Sequence, residues 1–180
     1  AGIFTRSDST ALDAGSAGVI NVAADYLSLS QKGEISSASA GPADAGSVTV
    51  MSSGALRLSD GSSISVESAG GNAGTINLQA TEYLYLDQSE ITARAGVDGG
   101  NVAMEDTRFV VVQGDQSHII ADAGRDGGDI SLDMQYLLIS PLGVDDVITA
   151  KGDAGIDGEI TLASPSIDLS GFVVDLAPEF

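Results

Sequence analysis

One pentad recurs along the chain: Gly-x-(Ile/Val)-x-(Leu/Val/Met). Its glycines are Gly18, Gly46, Gly74, Gly100, Gly128 and Gly158, separated by 28, 28, 26, 28 and 30 residues. A near-constant period of this length marks a repeat architecture. Each unit is too small to bury its own apolar face and must stack on its neighbours. After each glycine the apolar residues alternate: Ile20/Val22, Val48/Val50, Ile76/Leu78, Val102/Met104, Ile130/Leu132 and Ile160/Leu162. Alternation at period two describes a strand with one buried face.

A second apolar pair follows nine or ten residues after each glycine: Leu27/Leu29, Leu56/Leu58, Leu84/Leu86, Phe109/Val111, Leu137/Ile139 and Ile167/Leu169. A third strand opens on Ile35, Ile64, Ile91, Ile119 or Ile148, with a smaller residue (Ser37, Val66, Ala93, Ala121 or Ala150) two positions on. Ile3 and Thr5 match this third strand. Between the strands lie Gly, Asp, Asn and Ser, the residues that bends require.

Stacking repeats as coils turns each inward position into a continuous apolar column. The sequence therefore predicts a right-handed parallel β-helix with three strands per coil and about six coils of roughly 28 residues. These coils fill residues 1–170, and the apolar segment 171–180 is expected to cap the last one. An antiparallel all-β fold with regular turns is the alternative.

Charge narrows the partners. Acidic residues outnumber basic ones 26 to 7, for a net charge of −19. Such a surface repels nucleic acid and anionic lipid, which need clustered Lys and Arg. No run of about 18 apolar residues exists to span a membrane as a helix. There is no Cys, which excludes disulfides and thiol chemistry. The N-terminal residues do not read as a signal peptide, and Ile3 and Thr5 sit mid-coil. Further coils are therefore expected upstream in a parent chain, together with any export signal.

Three stretches carry a resemblance: Gly74-Thr75-Ile76-Asn77-Leu78, then Tyr83-Leu84-Tyr85-Leu86, then Gln88-Ser89-Glu90-Ile91-Thr92-Ala93. Asp157-Gly158-Glu159-Ile160-Thr161-Leu162 repeats the pattern near the end. They resemble the repeats of bacterial filamentous-haemagglutinin-like exoproteins of the two-partner secretion type. The resemblance implies a secreted or cell-surface location and a role in adhesion. It supplies no catalytic residues.

Chemistry-bearing candidates are few. His118, the only histidine, neighbours Ile119 and faces outward by alternation, so a solvated surface role is expected. Asp98 and Asp126 stand two residues before successive repeat glycines. Stacking brings them to one corner, where weak Ca²⁺ binding or simple solvation would relieve their repulsion. The outer face of the second strand is expected to present Tyr83, Tyr85, Arg108, Val110, Tyr136 and Leu138 side by side. Such a patch suits a protein or glycan surface receptor, unless another segment of the chain covers it. The leading expectation is a non-catalytic module acting in adhesion or as a rigid surface spacer. A polysaccharide-processing enzyme on the same fold is the alternative, to be distinguished by whether outward carboxylates converge with Arg or Lys in a groove.

Overall fold

The computed structural model describes residues 1–163, so Ile167/Leu169 and the expected cap at 171–180 lie outside the described residues. The chain enters on β1 (Gly2–Ser7), a third strand. The first full coil is β2 (Ile20–Ala24), β3 (Leu27–Leu29) and β4 (Glu34–Ser39). The second is β5 (Val48–Ser52), β6 (Ala55–Ser59) and β7 (Ser63–Ser68). The third is β8 (Ile76–Ala80), β9 (Tyr83–Asp87) and β10 (Glu90–Thr92). The fourth coil is β11 (Val102–Gln113) and β12 (His118–Ile120). The fifth is β13 (Ile130–Ser140), a single helical turn α1 (Val144–Val147) and β14 (Ile148–Thr149), followed by β15 (Ile160–Ala163).

All pairings are parallel and run from coil to coil. Third strands form one sheet in the order β1-β4-β7-β10-β12-β14. First and second strands share the other sheet, in the order β2-β5-β8-β11-β9-β6-β3, with β13 on β11 and β15 on β13. The fold is a parallel β-solenoid, as the period predicts. One feature differs from three separate strands per coil. In β11 and β13 the first and second strands run together without a break, and β11 therefore pairs with both β8 and β9.

The interior follows the alternation. Ile35, Ile64, Ile91 and Ile119 stack as one fully buried column, and Val48, Ile76, Val102 and Ile130 form another. Ser37, Val66, Ala93, Ala121 and Ala150 are all buried beside the connection back to the next first strand. There the amide N–H groups of Gly100, Gly128 and Gly158 donate to the carbonyls of Ala93, Ala121 and Ala150 at 3.0, 2.8 and 2.7 Å. This clasp closes the third, fourth and fifth coils, where little room is left for a large side chain; in the first coil Ser37 Oγ accepts the Gly46 N–H at 3.0 Å instead.

The repeat glycines meet each other at that clasp. A Cβ on Gly46, Gly74, Gly100, Gly128 or Gly158 would overlap the carbonyl oxygen of the repeat glycine one coil earlier. The pentad glycine is thus a close-approach residue between coils, in addition to marking a bend.

A buried serine ladder holds the corner between second and third strands. The Ser62 N–H donates to Ser89 Oγ at 3.2 Å, and the Ser89 N–H to Ser117 Oγ at 3.3 Å. Each hydroxyl in turn donates within its own coil: Ser62 to the Ser59 carbonyl, Ser89 to that of Asp87, Ser117 to that of Gln113. Backbone groups that the bend strips from the sheet are satisfied in this way.

Candidate binding face

The outer face of the second strand is set by register. Tyr83 pairs with Phe109, and Phe109 with Tyr136; Tyr85 pairs with Val111, and Val111 with Leu138. This corrects the fourth coil by one residue. Val110 and Val112 are buried and align with Leu84 and Leu86, whereas Phe109 and Val111 point outward. Val110 is therefore a core residue, not part of the face. The cause is a bulge between Met104 and Thr107, where Asp106 takes a positive φ of 52°. It inserts one residue into β11 relative to β13, and side-chain alternation flips with it.

The face that results is aromatic. Tyr83, Phe109 and Tyr136 lie in one outward column, 38%, 37% and 40% exposed, with Leu138 beside them at 53%. The Phe109 and Tyr136 rings stack with centroids 5.1 Å apart and planes 20° from parallel. In the next column the Arg57 guanidinium lies 4.8 Å from the Tyr85 ring centroid, and the Tyr85 hydroxyl donates to Gln113 Oε1 at 2.9 Å. Arg108 is exposed, but one residue before Phe109 and level with Glu82, at the margin of the column. Tyr26, 68% exposed, stands in the same column in the first coil, separated from Tyr83 by the buried Ala55 of the second. Sequence reading puts Phe109 and Val111 inward, and it puts Arg57 outward but leaves it out of the patch. The available signal was the ten-residue step from Gly46 to Leu56 and from Gly74 to Leu84, which carried to Gly100 points at Val110 as inward.

Asp98 and Asp126 do meet at one corner, with Arg125 between them. Its guanidinium hydrogen-bonds Asp98 Oδ2 and reaches Asp126 Oδ2 at 3.3 Å. The hydrogen bond to Asp98 and that carboxylate's charge, then Asp126, raise the Arg125 pKa above its ordinary value. A side chain thus supplies a counter-charge between the two carboxylates. Among the described residues, no group of three or more Asp, Glu, His or Cys is placed to hold a metal ion. These turn residues also serve the stack. Asp44 Oδ1 accepts the Asn72 N–H at 2.8 Å, Asn72 Oδ1 that of Asp98 at 3.3 Å, and Asp126 Oδ1 that of Ile156 at 3.0 Å.

His118 is half-buried and level with Glu90, its Nδ1 3.9 Å from Glu90 Oε1. Outward carboxylates line several shallow grooves. Glu67 lies between Arg6 and Arg94 in one of about 340 Å³. Asp145 and Asp157 share another, of about 230 Å³, with Lys151 on the last described coil. There Asp157 Oδ1 accepts the Gly152 N–H at 2.9 Å. No helix among the described residues is long and apolar enough to cross a membrane. No family model, curated protein or solved structure matches the chain.

Proposed function

We propose that the chain is a non-catalytic module of a secreted or surface-displayed bacterial exoprotein of the filamentous-haemagglutinin-like type. In this reading a stiff stack of coils carries a binding face away from the cell. The aromatic column through Tyr83, Phe109 and Tyr136 is the observation that carries it. Exposed rings aligned on a −19 surface form the kind of apolar patch that marks contact with a partner. Their geometry favours a protein partner over a glycan. A sugar ring stacks on a free aromatic face; here Phe109 and Tyr136 cover one face of each other and Arg57 one face of Tyr85, which reduces the ring face on offer. The exposed ring edges and hydroxyls suit a protein surface.

The test is a triple variant, Tyr83→Ser, Phe109→Ser and Tyr136→Ser, assayed for binding to protein-coated and glycan-coated surfaces alongside its melting temperature. Loss of protein binding with the stack intact supports the module as an adhesin. Unchanged binding leaves the spacer role. A second reading, a polysaccharide-processing enzyme, draws on the groove shared by Asp145, Asp157 and Lys151. It requires release of reducing ends from an acidic polysaccharide that Asp145→Asn abolishes.

A further inference from the structure

The other sheet carries a charge pattern that the aromatic face does not use. On its outer surface one column reads Arg6, Ala38, Glu67, Arg94, Asp122, Lys151. Its register is fixed by Arg6–Ala38 and Ala38–Glu67, and beyond them by the bridges Ser68–Ala95–Ala123–Gly152 one residue later. From Glu67 onward the sign alternates at every coil. Three of the seven basic residues of this strongly acidic chain stand in this one column. The carboxylates are pinned by the following strand: Thr92 Oγ1 donates to Glu67 Oε1 at 2.9 Å, and Thr149 Oγ1 to Asp122 Oδ2 at 3.1 Å. The cations are not so used. Among the described residues neither Arg94 nor Lys151 makes an ion pair, although each stands one coil from a carboxylate.

A four-step alternation is self-complementary when reversed. Let two copies lay this sheet face to face with the rods antiparallel, the two-fold axis running along the strands between β10 and β12. Arg94 then faces Asp122 of the second copy, and Glu67 faces Lys151, each pair occurring twice. The flanking column agrees: Glu90 faces His118 across the same axis. Between these columns lie Ser65, Thr92 and Ile120, outward but nearly buried, which keep the centre of the face low. We infer that this face is an isologous contact between two copies of the chain, held by reciprocal Arg94–Asp122 and Glu67–Lys151 pairs.

The contact is weak by size. Four strands at ~4.8 Å by five residues at ~3.3 Å give on the order of 300 Å² per copy, well under the ~800 Å² per partner of stable complexes. It belongs to the transient class, and its antiparallel arrangement suits copies that meet from opposed surfaces, where avidity multiplies weak contacts. It does not depend on the reading given to the aromatic face.

Sedimentation over a wide concentration range, at about 0.15 M salt so that long-range repulsion is screened beyond ~8 Å, tests it. The native chain should self-associate reversibly. Arg94→Glu alone sets a new carboxylate against Asp122 twice, and Asp122→Arg alone brings two guanidinium groups together twice. Each should weaken association on the order of tenfold or more. An equimolar mixture of the two variants restores both attractive pairs and should associate as the native chain does. An intrachain role for the ladder gives no such rescue in the mixture. A monomeric native chain at every concentration, or a mixture as weak as its components, overturns the proposal. Should either variant lose the native circular dichroism, Lys151→Glu and Glu67→Lys repeat the same test. The Tyr83, Phe109 and Tyr136 variant should associate normally.

Discussion

Gly74 sits directly over the carbonyl oxygen of Gly46 one coil earlier, so that a single methyl on Gly74 would overlap backbone. Both groups are backbone, so neither can yield without parting the two coils. Gly74→Ala should therefore destabilise by about 3 kcal/mol or more, at the severe end for one added methyl. Gly15→Ala, where nothing lies within 4 Å of the new Cβ, is the control and should change little. Thermal or denaturant unfolding of both variants checks the pair. Equal effects would mean that the glycines do not set the coil spacing.

The register of β11 has its own test. Val110→Asp buries an unpaired charge in a closed column and should unfold the chain or cost several kcal/mol. Val111→Asp places the charge on the outer face and should cost about 1 kcal/mol or less. The reverse order would restore Phe109 and Val111 to the interior and remove the bulge at Asp106.

Ser89 gives a third measurement. Its hydroxyl accepts the Ser62 N–H, a donor at a buried corner. Ser89→Ala leaves that N–H without its acceptor and should cost about 1–3 kcal/mol, read from a denaturant midpoint shift at unchanged slope.

At the Asp98–Asp126 corner the expected outcome concerns calcium. Arg125→Ala leaves the two carboxylates facing without a counter-charge. The variant should gain melting temperature in millimolar Ca²⁺ by mass action, and the native chain should respond less. An equal response in both would place any Ca²⁺ effect elsewhere.

Most of the fold was legible in the sequence because the solenoid repeats one local rule. The pentad glycine, the apolar pair after it and the third-strand isoleucine each recur with nearly fixed spacing, and each maps onto one column. Val110 was misassigned because alternation says only that neighbours face opposite ways. A one-residue bulge such as that at Asp106 inverts the assignment without changing the pattern. The Arg125 bridge was hidden for a different reason. Asp98 and Asp126 were placed by their distance from the repeat glycines, but a side chain next to Asp126 reaches back across the coil, and no spacing rule reports that reach. The serine ladder was equally silent, since buried and exposed turn serines look alike in a sequence.

Coil stacking is most directly measured as a distance. Asn21, Thr49, Asn77, Ala103, Ser131 and Thr161 form one outward column in continuous register. The chain has no cysteine, so pairs of Cys substitutions in this column can carry spin labels without background. Dipolar spectroscopy on Asn21→Cys with Ser131→Cys, and on Asn21→Cys with Thr161→Cys, should give backbone separations of about 19 and 24 Å, a step of ~4.8 Å per coil with narrow distributions. Separations that fail to grow with coil number, or that reverse order, would contradict a parallel stack and everything built on it.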